Sequence, residues 1–272
     1  MTIVFEVDEL VEGVVVHRPS KINKSPYLAD VLINGKEYMC HTPSLGCSGY
    51  IVPGVKCLLT PKKTPTKTVS KYTLDILLSD KYNDVQEFIG VNPNYSNTIV
   101  YNALTLNLIK DIPPLLELKK EVTIGDSRLD LVGKTKDKTY YIEVKSVPCA
   151  DYIDVVKKER LKADVSSYKH NEKIGIFPYD TKRCTVKLTI SPRALKHVEE
   201  LEKIIKNDKN AHAFLVFTIQ RSDCKYFQIS NLDPIYKAAV LKASNNGVNI
   251  KAYQVIWKEN KVHWGKELIV RL

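Results

Sequence analysis

Residues 125–147 read GDSRLDLVGKTKDKTYYIEVKSV, and their pattern decides what kind of domain this chain contains. A polar stretch, Lys134 to Lys138, separates two runs rich in β-branched, aromatic and aliphatic residues. The first run begins upstream, at Lys119, and the second is TYYIEVKSV, so the pattern predicts a β-hairpin. Strand side chains alternate, so Glu143 and Lys145 share one face while Ile142 and Val144 pack on the other. The hairpin brings Asp130, separated from Glu143 by twelve residues, beside the same face. Two adjacent carboxylates can hold Mg2+, a hard ion that takes few protein oxygens and keeps its waters. Such an ion stabilises charge on phosphoryl oxygens and activates a bound water. A neighbouring lysine orients that water or meets the transition-state charge. Acids and lysines also alternate on many solvated strand faces, so the pattern by itself more often marks an exposed strand face.

Outward from the hairpin, the chain divides in two. Before it, IVFEVDE, EGVVVHR, YLADVLI, KEYMCHT, VKCLLTP and KYTLDILL read as short strands. Asn34-Gly35, the Gly46 to Gly49 stretch and Pro53-Gly54 separate some of them as turns. Five or six such strands without a helix predict a small closed barrel of the OB type over residues 1–82. Lys56, Lys62, Lys63, Lys67 and Lys71 stand in an acid-free stretch, a loop able to track a phosphate backbone or simply to be solvated. From residue 83 to 272 helices alternate with strands. A helix starts near Ser96 or Asn97 and runs to Pro113-Pro114. SPRALKHVEELEKIIKND is an amphipathic helix with Ser191 as its cap and Pro192 in its first turn. AHAFLVFTIQR is a buried strand, DPIYKAAVLKASNNG a helix ending near Gly247, and VNIKAYQVIWKEN a strand. This order predicts an α/β (α+β) domain built on a mixed sheet. Residues 148–178 read as an irregular insertion with a short helix at most.

Composition narrows the function. The 272 residues are 44% hydrophobic and 26% charged, which excludes wholesale disorder. No apolar run approaches the roughly 18 to 20 residues of a membrane span. The early acids Glu6, Asp8 and Glu9 exclude a secretory leader, so an intracellular, cytoplasmic protein with no membrane partner is expected. Lysine and arginine number 41 against 31 acids, a net charge of +10 that favours a polyanionic partner, nucleic acid before membrane. Six cysteines occur without a C-x-x-C pair, which predicts reduced thiols with no disulfide partner. Nothing in the sequence marks a sugar pocket: the only tryptophans, Trp257 and Trp264, lie near the C-terminus.

GDSRLDLV followed by YYIEVKSV resembles the sugar fermentation stimulation protein family. The likeness continues in SPYLADV, CHTPSLG, GYIVPG, YTLDILL and FIGVN, then in SPRALKHVEEL, FLVFTIQR and LDPIYKAAVLKASNNGVNIKAY. It implies an N-terminal OB-like β-barrel and a C-terminal PD-(D/E)xK, restriction-endonuclease-like domain. It also implies DNA binding without sequence specificity and a regulatory link to sugar metabolism. Carried over by position, the catalytic set is Asp130, Glu143 and Lys145, with Asp130 and Glu143 holding Mg2+ or Mn2+. Ser127-Arg128, Lys196, His197 and Gln220-Arg221 also match. Lys62, Lys63, Lys67 and Arg128 are expected to contact nucleic acid; Arg128 could instead pair with Asp126 or Glu121. Gln220 is an accessory candidate or a structural hydrogen bonder. His197 reads as structural and Lys196 as solvated. Two departures stand out. Asn102 occupies the first-helix position where the family has an acid, offering a neutral oxygen. In the barrel, Thr42, Ser44, Leu45 and Cys47 replace commoner residues in a loop one residue shorter. The reading is a metal-dependent nuclease; the alternative is an inert DNA-binding or regulatory protein on the same fold.

Overall fold

The computed structural model describes every residue except 46, 48, 64–69, 80–85, 126 and 180–188. Among the described residues the chain opens with β1 (Ile3–Glu6), β2 (Val11–His17), β3 (Leu28–Ile33), β4 (Lys36–His41), β5 (Lys56–Pro61), β6 (Tyr72–Leu77) and β7 (Ile89–Gly90). Then come α1 (Asn94–Thr105), β8 (Glu117–Ile124), β9 (Ser127–Lys134), β10 (Thr139–Val147), β11 (Ala150–Asp151) and the single turn α2 (Lys157–Arg160). A 3-10 turn (His170–Glu172) leads to β12 (Lys173–Phe177), α3 (Pro192–Asn207), β13 (Ala211–Ile219) and β14 (Cys224–Ile229). The chain ends with α4 (Pro234–Asn245), β15 (Asn249–Lys258), β16 (Lys261–Glu267) and β17 (Val270–Arg271).

Strands β4-β3-β2-β5-β6 form a sheet that closes through a parallel β4–β6 contact at His41 and Thr73, the five-stranded barrel the sequence predicts. Closure removes the sheet's free edges. The inward side chains Val15, Val31, Cys40, Cys57, Leu59 and Leu74 fill it. IVFE behaves differently from the expectation. β1 pairs antiparallel with β16, at the far end of the chain, and not with a barrel strand. β7, beyond residue 82, pairs instead with β6 of the barrel. The two units therefore exchange short strands across their boundary.

The larger unit is a mixed seven-stranded sheet, β1-β16-β15-β13-β10-β9-β8, in which β10, β13 and β15 run parallel. One face packs α1 through Ile99, Val100, Ala103 and Leu104. The other packs α3 and α4 through Ala194, Val198, Leu201, Tyr236 and Val240. This is the α+β class that the helix and strand order implies. The long run from Lys119 to Gly133 is two strands, β8 and β9, folded at Gly125 with φ +56°. α1 starts earlier than expected because Asn92 Oδ1 accepts from Asn94 N at 3.1 Å and Pro93 presets the first turn. It stops well before Pro113: Asn107 adopts φ +53°, and Leu108 N donates back to Ala103 O at 2.9 Å, a left-handed C-terminal cap. The stretch 148–178 is less irregular than it reads. It supplies β11 and β12 to a second sheet, β11-β12-β14-β17. No helix among the described residues is long and apolar enough to cross a membrane.

Candidate active site

The β9–β10 ladder runs from Lys134↔Thr139 to Leu131↔Ile142 and then stops. One step further, the Asp130 side chain stands where the next backbone acceptor would be: Asp130 Oδ2 accepts from Val144 N at 2.8 Å. Its Oδ1 accepts from Asn97 Nδ2 of α1 at 2.8 Å. On β10, Glu143 Oε1 accepts from Lys145 Nζ at 2.5 Å and is hydrogen-bonded to His197 Nδ1 of α3. Lys145 Nζ also lies 3.1 Å from His197 Nδ1. The two helical layers thus deliver one residue each, Asn97 and His197, to the point where the strands part. Glu143 is 1% exposed, Lys145 and His197 12% each.

The electrostatics of the two carboxylates differ. Burial, reinforced by the charge on Glu143, pushes the Asp130 carboxyl above the usual range. Burial pushes Glu143 up as well, but the hydrogen bond to His197 and the charge on Lys145 outweigh it and hold that carboxyl below its usual value. Glu143 Oε2 is buried and has no hydrogen-bond partner. Both carboxylates line a cleft of about 1020 Å3, together with Lys120, Glu121, Arg193 and the barrel-loop residues Ser44 and Leu45.

Asp130, Glu143 and Lys145 are brought together as their spacing suggests. Arg128 lies exposed on β9 and pairs with Glu121 at 3.5 Å, the structural partner weighed for it. The barrel lysines lie elsewhere: Lys63 pairs with Asp8 at 2.6 Å beside a smaller hollow, and Lys62 donates to Ser70 Oγ at 2.7 Å. Lys67 falls outside the described residues. Asn102 donates to Val4 O at 2.6 Å, tying α1 to β1, so the α1 residue at the site is Asn97. Gln220 is buried among Ser96, Thr218 and Trp257, where its amide joins α1 to β13 and β15. It is the structural hydrogen bonder of the two alternatives. His197, read from the sequence as a structural hydrogen bonder, makes its bond to the site carboxylate Glu143. Its signal was present, since Ala194, Val198 and Leu201 of the same helix are buried and His197 shares their face. Cys40 and Cys47 are buried free thiols, and burial pushes the Cys40 thiol up to about 12.

Comparison with known proteins bears on the family and the fold. A family model described as the sugar fermentation stimulation protein RE domain matches residues 94–157 and 167–261, more than half of the chain. The sugar fermentation stimulation protein homolog of Alkaliphilus oremlandii is 29% identical, over 94% of each chain. That of Pseudoalteromonas atlantica is 28% identical, over 96% of this chain and 97% of its own. The structure of Pyrococcus furiosus SfsA in complex with Ca2+ superposes over all of both chains with a TM-score of 0.75 at 17% identity, a likeness of fold. The family model spans the hairpin of Asp130 and Glu143, the helix of His197 and the strands between them; this chain belongs to the sugar fermentation stimulation protein family.

Proposed function

We propose that this protein binds DNA without sequence preference and hydrolyses phosphodiester bonds with a divalent cation, Mg2+ or Mn2+, held by Asp130 and Glu143. The observation that carries the reading is Glu143 Oε2, a buried carboxylate oxygen without a partner, on a residue that lines the same cleft as a second carboxylate, Asp130. Such an oxygen is costly to leave unsatisfied. A hard cation there would satisfy it and offset the burial and the Glu143 charge that together raise Asp130. The two oxygens of Asp130 each accept one hydrogen bond and keep lone pairs for a ligand. The donor set is oxygen-rich, which suits Mg2+ or Mn2+. The Pyrococcus furiosus relative was solved with Ca2+, another oxygen-seeking ion. When bound, the ion supplies Lewis acidity toward a phosphoryl oxygen and a more acidic water. The chain's own groups do the rest. Lys145 presents an ammonium to charge developing on the phosphate, His197 fixes the Glu143 and Lys145 side chains, and Lys120 and Arg193 offer phosphate contacts along the cleft. The excess of ten positive charges supports a polyanionic substrate.

One observation favours a second reading. Glu143 Oε1 already receives Lys145 and His197, so half of that carboxylate is neutralised without a metal, as an inert DNA-binding regulator would permit. Calorimetric titration with Mn2+, alongside a plasmid-nicking assay, separates the two. The wild type is expected to bind Mn2+ and nick. Glu143→Gln should do neither, and Lys145→Ala should bind Mn2+ but cut about 100-fold more slowly. DNA affinity should survive both substitutions and fall steeply with salt. A wild type that binds DNA and no Mn2+ establishes the inert regulator.

A further inference from the structure

The cleft that holds Asp130 and Glu143 is not polar throughout. Its lining also includes Pro148, Ile176, Phe177, Pro178 and Ile190, and the barrel loop contributes Leu45. Leu45 is 49% exposed, a large aliphatic side chain lining the same cleft as the charged residues. It is held there by design of the loop. Arg18 donates to Ser44 O at 2.7 Å and to Cys47 O at 3.4 Å, on either side of Leu45, while its Nε and Nη2 reach Pro26 O at 3.2 and 3.0 Å. One guanidinium thus clamps both flanks of Leu45 to the neighbouring loop, and Thr42 N donates to Tyr27 O at 2.7 Å in the same direction.

A closed duplex offers nothing to such a lining. It presents phosphates and groove edges, and its apolar base faces are stacked inside. An unpaired nucleotide offers both a phosphate and a free base face, side by side. The cleft lining offers partners for both, with carboxylates, lysine and arginine alongside aliphatic and aromatic carbon. Its volume of about 1020 Å3 stands at the upper limit of pockets that enclose small ligands, which suits a few nucleotides and not two paired strands. Apolar side chains such as leucine also serve as wedges that unstack a base step.

Resting on the nucleic-acid reading above, we infer that the cleft takes an unpaired nucleotide of a DNA strand. Its phosphate lies at Asp130, Glu143 and Lys145, and its base lies against Leu45 and the other apolar lining residues. The protein therefore prefers single-stranded ends to closed duplex, and Leu45 is the residue that sets the preference.

The test is fluorescence anisotropy in EDTA, with no turnover, using a flush-ended DNA hairpin and the same hairpin carrying a short unpaired tail at either the 5′ or the 3′ end. The wild type is expected to bind a tailed hairpin about tenfold more tightly, from the stacking of an exposed base. Leu45→Ser should bring the tailed hairpin down to the affinity of the flush one. Leu45→Trp, also large and apolar, should retain the preference, and its indole emission should change when the tailed hairpin binds. Equal affinity of the wild type for flush and tailed hairpins overturns this inference and leaves the DNA reading standing. A preference that persists in Leu45→Ser removes Leu45 from it. No binding of any hairpin at low salt overturns both.

Discussion

Asp223 and Glu143 are buried carboxylates, 2% and 1% exposed, and each has a lysine and a histidine beside it. Asp223 is enclosed. Arg221, itself fully buried, reaches it with Nε at 2.5 Å and Nη2 at 2.6 Å, Lys173 of β12 with Nζ at 3.0 Å, and His170 lies 3.6 Å away. Glu87, from the stretch leaving the barrel, accepts from Ser222 N and Oγ next door. Both Asp223 oxygens are bonded, and the cluster locks the barrel exit, β12 and the β13–β14 turn into one piece. At Glu143 one oxygen is crowded with donors and the other has none, and the residue lines a cleft. The same residue types therefore serve opposite ends. Complete pairing of buried charge fixes a junction, and incomplete pairing beside a cavity keeps capacity for a ligand.

The contrast breaks most visibly in stability. Arg221→Met should cost about 3–5 kcal/mol in urea unfolding, because it leaves Asp223 underpaired and buried. Asp223→Asn should cost nearly as much at neutral pH. Burial raises the Asp223 carboxyl, but Arg221 and Lys173 more than reverse this and lower it. Its contribution is thus complete above the unfolded value of about 3.9 and fades as pH falls through the lower folded value, so the penalty of Asp223→Asn should shrink in acid. If either change is tolerated, the junction cluster is not a lock.

Asp130→Asn tests the other side and should have a smaller effect of opposite sign. Burial and the charge on Glu143 disfavour the ionised Asp130. An amide removes that charge, and Asn97 can turn its own amide to keep both hydrogen bonds. Thermal or urea unfolding should show a gain of up to about 1 kcal/mol without metal, while Mn2+ affinity is lost. A loss of several kcal/mol would place Asp130 with the structural carboxylates.

The smallest effect is expected at the rim. Arg128→Ala removes one exposed guanidinium already shared with Glu121. Filter binding at several salt concentrations should show an affinity loss of only a few-fold, and a salt slope shallower by about one. An unchanged slope assigns Arg128 to Glu121 alone.

What could be read beforehand follows from range. Glu143 and Lys145 sit on one strand, and Asp130 reaches them through a hairpin, so alternation alone placed all three. The barrel was readable from its turns. β1 was misassigned because IVFE alternates just as the barrel strands do, and nothing local says that its partner is Lys261–His263. His197 lies 54 residues from Glu143. Its helix was evident, yet which sheet strand its buried face covers depends on tertiary packing. β12 escaped notice because KIGIF is short and pairs with β14, a strand equally short and also unread.

The pairing of β1 with β16 has a consequence for biosynthesis. The ribosome makes β1 before any barrel strand and β16 after every other strand of the seven-stranded sheet. All five strands that close the barrel follow one another directly, so that unit can fold while the rest is still being translated. β1 must meanwhile wait, its hydrogen-bonding edge uncovered, until residues 261–267 emerge. The large sheet therefore matures last, and the chain carries an unpaired strand through most of its own synthesis, the interval in which it is most open to wrong partners.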